Sequence, residues 1–304
     1  MYSYLAYGMG IRCDIPLPDL IEQKAPADVV MRLGKPEPLE PIDPGALLCL
    51  QFKEDDAYFY YYKIGQCRVR QGREIVGEPK KGSDLKMLGG LAQTLGISIL
   101  LHQRGYVILH ASCVNLGSGA VAFLGDSTAG KSFIAAALHS RGHSIVADDV
   151  TVVDVHGAGC SVYPGLPILQ LLPDAAEHFG YSGDAAEQLD LFEEKIVQRF
   201  PGEFPQHAIP LLGLYILEDG PSVHIERLDR HRAVFEAVRH SYWIRLMHDA
   251  RPASYFLQCA KLCETVPMRR LIRPRSVSAL SEVASVLEEE LFRGVLRAPR
   301  LDGP

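Results

Sequence analysis

A short segment near the middle of the chain has the residue types of a phosphate-binding loop. Gly125–Ser132 reads GDSTAGKS and matches the pattern GxxxxGK[ST] at every fixed position. Small residues let consecutive backbone N–H groups turn toward phosphate oxygens, while Lys131 can reach the β- and γ-phosphates and the Ser132 hydroxyl can ligate Mg²⁺. The segment therefore predicts a site for a nucleoside triphosphate with Mg²⁺.

The surroundings of this segment are those that a phosphate-binding loop requires. Ala120–Leu124 predicts a strand before the loop, and Ser132–Arg141 predicts a helix after it, whose N-terminus adds a favourable potential for an anion. A match to this pattern arises by chance in roughly one in a hundred chains of this length. Such a chance match need not have a strand before it and a helix after it. The residues expected to contact the nucleotide are the loop and the residue after it: Gly125, Asp126, Ser127, Thr128, Ala129, Gly130, Lys131, Ser132 and Phe133.

Two adjacent carboxylates, Asp148 and Asp149, follow the next predicted strand, Ser144–Ala147. One carboxylate at this place suits Mg²⁺ or a Mg²⁺-bound water, and a second can accept the proton of an attacking hydroxyl. The pattern leaves open which residue has which role, and an exposed Asp-Asp turn is the alternative interpretation. Ser132 and the two aspartates form the candidate Mg²⁺ set, and Lys131 joins the aspartates among the candidate catalytic residues.

His110 is predicted to lie at the mouth of the loop. If Tyr106–Leu116 and Ala120–Leu124 form a hairpin, residues whose numbers sum to about 235 face each other, which places His110 opposite Gly125. A histidine there can bind the γ-phosphate or interact with a catalytic carboxylate, so His110 is also a candidate catalytic residue. A packed histidine at a strand end is the alternative.

Other residues are weaker candidates. Lys195 and Arg199 share one face of a predicted helix at Gly183–Arg199, a face that can reach phosphate or simply face solvent. Tyr163–Pro167 (YPGLP) predicts a shaped loop, and Trp243 predicts a core position. Arginines that could clamp a phosphate occur toward the C-terminus: Arg245, Arg251, Arg269 and Arg270.

The stretch from His110 to Asp149 resembles the catalytic core of the HPr kinase/phosphorylase family. The matching elements are His110 before a hairpin, the loop GDSTAGKS, and the segment HSRGHSIVADDV with its Asp-Asp pair. The resemblance implies a P-loop kinase domain of the HPr kinase type, which phosphorylates a serine hydroxyl with ATP and Mg²⁺ and uses one aspartate as general base.

The layout of the whole chain is similar to that of HPr-kinase-like proteins of bacterial peptide-biosynthesis clusters. The shared features are a short β-rich N-terminal region, LHAS before the loop, ADDV after it, and a PG-P segment within Tyr163–Pro167. Some of these proteins, the lasso-peptide kinases, phosphorylate the C-terminal serine of a precursor peptide. The resemblance implies a serine-containing precursor peptide as the acceptor, with HPr itself as an alternative.

Composition limits the compartment and the partners. The 304 residues carry a net charge of -6, which argues against broad nucleic-acid binding, since that needs a basic excess. No apolar run approaches the roughly 18 residues that a membrane span needs. The seven cysteines are scattered and odd in number, which favours reduced thiols in a cytoplasmic protein. They are Cys13, Cys49, Cys67, Cys113, Cys160, Cys259 and Cys263.

The predicted fold class is α/β with α+β elements. Residues 1–84 are expected to form a small β-rich domain with strands near Ala27–Leu33, Leu47–Lys53 and Ala57–Ile64, and residues 85–292 the kinase domain. A helix is predicted at Leu85–Gln103. The region Arg232–Phe292 is expected to be mostly helical with a break around Val266–Arg275, and residues 293–304 are expected to form a mobile tail.

A second function class stays open at this stage. The chain could be a nucleotide-gated regulatory module that binds ATP without phosphorylating a partner. An Asn-Lys-x-Asp motif for guanine does not occur, which favours ATP over GTP. The set formed by the loop, His110 and the two aspartates favours the kinase, and a homo-oligomer is compatible with either function.

Overall fold

The computed structural model describes residues 1–43, 45–157, 159–182, 184–185, 195–200, 204–242 and 252–297. Within these ranges the strands are β1 (Tyr2–Ala6), β2 (Met9–Cys13), β3 (Val29–Leu33), β4 (Leu48–Lys53), β5 (Asp56–Tyr61), β6 (Gly65–Arg70), β7 (Glu74–Pro79), β8 (Val107–Asn115), β9 (Ala120–Leu124), β10 (Ser144–Ala147), β11 (Val150–Asp154), β12 (Ser161–Tyr163), β13 (Ile168–Leu171), β14 (Asp184–Ala185), β15 (Ile196–Arg199), β16 (Ile209–Asp219), β17 (His224–Arg227) and β18 (Met268–Arg273). The α-helices are α1 (Leu85–Leu91), α2 (Ile97–Gln103), α3 (Lys131–His139), α4 (Pro173–His178), α5 (Arg230–Arg239), α6 (Pro252–Thr265) and α7 (Leu280–Arg297).

The first seven strands form one twisted sheet in the order β1-β2-β3-β7-β6-β5-β4. Side chains alternate between core and surface along β6, where Gly65, Cys67 and Val69 are buried, as expected for a sheet with one covered face. The expectation of a strand-rich N-terminal region is therefore confirmed, and the three segments singled out from the sequence correspond to β3, β4 and β5.

The predicted helix at Leu85–Gln103 is present, but its middle turn is wider than an α-helix. Asp84 accepts a hydrogen bond from Lys86 N and caps α1, and a π-helical segment, Ala92–Gly96, joins α1 to α2. An 18-residue window of this 19-residue stretch has a mean hydropathy of 1.2. By length and composition the stretch could cross a membrane, which corrects the expectation that no such segment occurs. Its most apolar window is 67% buried inside the protein, where it covers the N-terminal sheet.

The C-terminal sheet positions the phosphate-binding loop. Its strands follow the order β10-β8-β11-β12-β16-β18-β17, and β9 pairs with both β8 and β16. The five strands β8, β11, β12, β16 and β9 thus close a ring of pairings, while β9, β16 and β18 run parallel. Because the carboxyl ends of parallel strands meet at one edge of a sheet, the segments after these three strands share that edge, where ligands bind in α/β sheets.

Two predictions about the later elements were wrong, the helix at Gly183–Arg199 and the start of the tail at 293. The helix expected at Gly183–Arg199 is not formed in its described part, because Ile196–Arg199 pairs as β15 with β13 and places two β-branched residues in a sheet. Lys195 and Arg199 therefore share no helix face. The predicted break around Val266–Arg275 is present and contains β18. The helix α7 extends to Arg297, so 293–297 of the expected tail is helical, and 298–304 lies outside the described residues.

The N-terminal sheet and the C-terminal sheet interlock through two loops. Tyr7 N donates a hydrogen bond to Pro164 O at 2.9 Å. A Cβ atom at Gly165 would lie 2.9 Å from Cε1 of Tyr7, and one at Gly8 would lie 2.5 Å from Cε1 of Tyr163. Each loop thus places a glycine against the tyrosine of the other, and the YPGLP segment is a shaped loop, as predicted.

The RGH part of the HSRGHSIVADDV segment has a structural role, because it clamps α7. Arg141 binds both carboxylate oxygens of Glu288, at 3.0 and 2.6 Å, and His143 Nε2 lies 2.9 Å from Oε1. These bonds, Arg141 first, lower the pKa of Glu288 to about 2. The clamp fixes the turn between α3 and β10, the strand that the two aspartates follow.

Replacing Glu288 by glutamine is expected to reduce the free energy of unfolding at neutral pH by about 1 kcal/mol, since the pair is partly exposed. A carboxylate whose pKa is lower in the folded than in the unfolded state stabilises above its unfolded value of about 4.3, and this contribution disappears as the pH falls. Urea unfolding of the wild type and of Glu288→Gln should therefore give free energies of unfolding whose difference narrows from about pH 5 toward about pH 2. A difference that stays constant over that range would contradict the ionic origin of the clamp.

Candidate functional site

The predicted phosphate-binding loop connects the buried strand β9 to the helix α3. Thr128 and Gly130 have positive φ angles of 63° and 89°, a region that favours glycine, and a Cβ atom at Gly130 would lie 2.9 Å from Nη2 of Arg273. Ala129 N donates to Asp126 O, and Gly130 caps α3. The loop thus has the strained, tightly turned backbone that turns N–H groups toward an anion.

Lys131 lies inside this loop and is 7% exposed. Its ammonium group donates to Gly125 O at 2.9 Å and to Asp126 O at 3.0 Å. Burial lowers the pKa of Lys131, and the charges of Asp149 and Asp148 oppose that shift. The ammonium group of Lys131 therefore binds carbonyl oxygens of the loop, and phosphate oxygens can replace these carbonyls as its partners.

Asp148 joins the end of the loop to the C-terminal sheet. Its Oδ1 accepts hydrogen bonds from Ser132 Oγ at 2.9 Å and from Ser112 Oγ at 2.5 Å, and its Oδ2 accepts one from Gln170 N at 2.8 Å. Burial raises the pKa of Asp148, and the three hydrogen bonds partly offset the effect. The carboxylate is fixed by three donors, one of which is the serine of the phosphate-binding loop.

Asp149 faces a different set of partners. Its Oδ1 lies 3.1 Å from His110 Nδ1, and its Oδ2 accepts a hydrogen bond from the Tyr242 hydroxyl at 3.1 Å. Burial raises the pKa of Asp149, but His110 and other donors and cations outweigh it, so the net shift is downward. With a side chain about 30% exposed, Asp149 is accessible where Asp148 is covered.

The predicted hairpin register is confirmed. Ala111 faces Leu124 and Ser112 faces Phe123, so His110 lies next to the first residue of the loop, as the sum of about 235 requires. The structure thus brings together His110, Asp148, Asp149, Lys131 and Ser132, which come from three separate segments of the chain. Phe133, in the first turn of α3, packs against Phe179.

Several residues of the site were not identified from the sequence. Ser112 lies two positions after His110 on β8, and strand alternation places both on one face, so a period of two could have indicated it. Tyr242 follows α5 and has no local signal. Tyr7 comes from the N-terminal sheet; burial, followed by the charge of Asp149, raises the pKa of its hydroxyl.

Two arginines at the loop were also missed. The Arg273 guanidinium is 5% exposed and donates to Ala129 O, while Arg239 binds the Asp126 carboxylate at 3.0 Å. Of the arginines proposed as a phosphate clamp, Arg269 and Arg270 are paired with glutamates away from the loop. The remaining two, Arg245 and Arg251, lie outside the described residues, as does Trp243.

The donor set beside the loop fits Mg²⁺. No group of three or more His, Cys, Asp or Glu side chains able to hold a metal occurs in the part of the chain that the structure describes. Mg²⁺ does not need such a group, because it commonly takes one or two protein oxygens and completes its shell with phosphates and water. Ser132 Oγ and Asp148, 2.9 Å apart, provide oxygen donors of this kind.

Comparison with known proteins finds similarity among solved structures. Neither a family model nor a curated protein sequence matches the chain. The HPr(Ser) kinase/phosphatase from Coxiella burnetii is similar in structure, with 12% sequence identity and a TM-score of 0.34 over 62% of this chain and 92% of that one. A similarity at this level supports no conclusion about activity, so the chemistry of the site rests on its own geometry.

Proposed function

We propose that this chain is an ATP-dependent phosphotransferase that phosphorylates a serine hydroxyl of a peptide or protein. The observation that carries the proposal is the division of the Asp-Asp pair between two environments. Asp148 binds the loop serine, Ser132, and Asp149 lies half-buried against His110. Two neighbouring carboxylates with different partners match the two roles that hydroxyl phosphorylation requires, metal binding and proton acceptance.

Each residue of the site then has a role that its contacts support. Ser132 and Asp148 would hold Mg²⁺, which when bound neutralises charge on the β- and γ-phosphates. Lys131 and the loop N–H groups bind the phosphate oxygens. Asp149 accepts the proton of the acceptor hydroxyl, and His110 and Tyr242 hold its carboxylate in place.

The lowered pKa of Asp149 is compatible with this role. Phosphoryl transfer proceeds through a loose transition state that needs little proton transfer before the new bond forms, so catalysis depends mainly on positioning and electrostatics. A carboxylate fixed by two partners and ionised at neutral pH orients the hydroxyl by accepting its hydrogen bond, and it takes the proton late.

The acceptor that we propose is the C-terminal serine of a ribosomally made precursor peptide of the lasso type. The resemblance of the LHAS, ADDV and PG-P segments to peptide-biosynthesis kinases supports this choice.

We further propose that the N-terminal sheet helps to bind the peptide, since the hydroxyl of Tyr7, in the turn after β1, has a pKa raised by burial and, in addition, by the charge of Asp149. All seven cysteines are free thiols, which fits a reducing compartment and supports a cytoplasmic location.

The test is mass spectrometry of a candidate precursor peptide after incubation with the protein and Mg-ATP. We expect a gain of one phosphate on a serine of that peptide, and no gain on the matched peptide in which alanine replaces the serine. If ATP binds but no serine peptide or protein, HPr included, is phosphorylated, the chain is a nucleotide-binding module and the proposal is wrong.

A further inference from the structure

A cavity of about 140 Å³ opens beside the phosphate-binding loop. One wall is the loop itself at Ala129 and Gly130, and a second is the first turn of α3 with Phe133. The third wall is formed by the segment after β18 and by the start of α7, which includes Leu280 and Val283. The proposed reaction uses none of the residues of the second and third walls.

The cavity lies on the opposite side of β9 from the two aspartates. Asp148 and Asp149 contact β8, which pairs with one edge of β9, whereas the cavity adjoins the end of β18, two strands away on the other edge. A triphosphate whose terminal phosphate is beside Asp149 must extend across the loop, because the loop is wrapped around the phosphates. The nucleoside therefore leaves the loop on the side where the cavity opens.

The chemistry of the walls suits a flat aromatic ring. Phe133, Leu280 and Val283 are apolar, and an apolar cavity of about 150 Å³ is enough to bind benzene. The guanidinium of Arg273 adds a planar cation held by Ala129 O, with Asp219 3.6 Å away. Arginine stacks on the face of nucleobases, and such stacking is sequence-tolerant because every base has a π-face.

We infer that this cavity binds the base of the nucleoside triphosphate, between the apolar side chains of α3 and α7 and the guanidinium of Arg273. This inference rests on the proposed function, because it takes the phosphates to lie in the loop. It adds a second role for Arg273, which links the base site to the loop through Ala129 O.

Isothermal titration with Mg-ATP and with magnesium tripolyphosphate separates the base site from the phosphate site. The variant Ser276→Trp places a large ring in the cavity from an exposed position whose hydroxyl lies 3.0 Å from that of Ser278. The matched control is Ser278→Trp, which breaks the same Ser–Ser contact from a position that does not line the cavity.

We expect Ser276→Trp to lower the affinity for ATP about tenfold or more, which is the contribution of one stacked base, while the affinity for tripolyphosphate changes less than about twofold. Ser278→Trp should leave both affinities unchanged. A second variant, Phe133→Ala, removes part of a wall instead of filling the cavity and should also lower the affinity for ATP but not for tripolyphosphate. Equal thermal unfolding of the variants and the wild type shows that the fold is retained. GTP, CTP and UTP, titrated in the same way, rank the bases.

The outcomes separate this inference from the proposed function. If Ser276→Trp and Phe133→Ala leave the ratio of ATP to tripolyphosphate affinity unchanged, the base lies elsewhere and the inference is overturned, whatever the peptide assay shows. If the ratio of ATP to tripolyphosphate affinity falls but no peptide or protein is phosphorylated, the base site is confirmed and the proposed kinase function is wrong. If neither ligand binds the wild-type chain, both are wrong.

Discussion

Replacement of Asp149 by asparagine is expected to lower phosphoryl transfer by at least about 10²-fold while ATP binding is retained. Asparagine has the size of aspartate but cannot accept the hydroxyl proton or supply the negative charge that orients the hydroxyl. The groups proposed to bind the phosphates and Mg²⁺ are on the loop and on Asp148, which this change leaves in place. Initial rates of peptide phosphorylation and ATP titration of the same protein give the two quantities.

The structure indicates that asparagine fits this position. Asp149 has a φ of 68°, a left-handed conformation that asparagine adopts more readily than most residues. Its amide oxygen can accept the Tyr242 hydroxyl, and its NH₂ group can donate to His110 Nδ1 in the neutral tautomer. Loss of activity in this variant therefore reports on the chemistry of the carboxylate and not on unfolding.

Asp154→Asn is a matched control for this prediction. Asp154 ends the strand β11 that Asp149 precedes, and its carboxylate accepts hydrogen bonds from His156 N and the Tyr163 hydroxyl. This second substitution makes the same chemical change one strand length away, so we expect full phosphorylation activity. Transfer that survives in Asp149→Asn, or that is lost equally in Asp154→Asn, would remove Asp149 from the base role.

The candidate site was predicted from the sequence where local rules act. The phosphate-binding loop is a contiguous motif, and the hairpin register follows from one tight turn, so the positions of Lys131 and His110 could be predicted. The Asp-Asp pair could be placed at the end of a strand, but its division of roles could not. That division depends on Ser112, Gln170 and Tyr242, which reach the pair from other elements.

The fold shows the same limit. Strands β9 and β10 have the bounds that the sequence predicts, because each is a short apolar run between turn residues. Ile196–Arg199 was misassigned to a helix, since its strand state depends on pairing with β13, a partner that lies far away in sequence. Arg273 likewise has no sequence signal for its role, because only the parallel pairing of β18 with β16 brings it to the loop.

Replacement of Ser132 by alanine is expected to raise the Mg²⁺ concentration needed for half-maximal transfer by about 10- to 100-fold. Ser132 lies in the first turn of α3, at the end of the loop, and donates a hydrogen bond to Asp148. Its hydroxyl oxygen therefore retains lone pairs for a cation beside the phosphates. Alanine removes that oxygen and leaves Asp148 with its two other donors. The measurement is a Mg²⁺ titration of the initial rate at saturating ATP.

Ser112 gives the matched comparison, because the same carboxylate oxygen, Asp148 Oδ1, accepts a hydrogen bond from both serines. Ser112 is fully buried in β8, so Ser112→Ala should lower the free energy of unfolding by about 1–2 kcal/mol through the lost hydrogen bond. Its Mg²⁺ dependence should shift much less than that of Ser132→Ala, since its hydroxyl is not on the phosphate-binding loop. Equal shifts in the two variants would mean that both serines act only by holding Asp148, and the metal would then have to be assigned to Asp148 without Ser132.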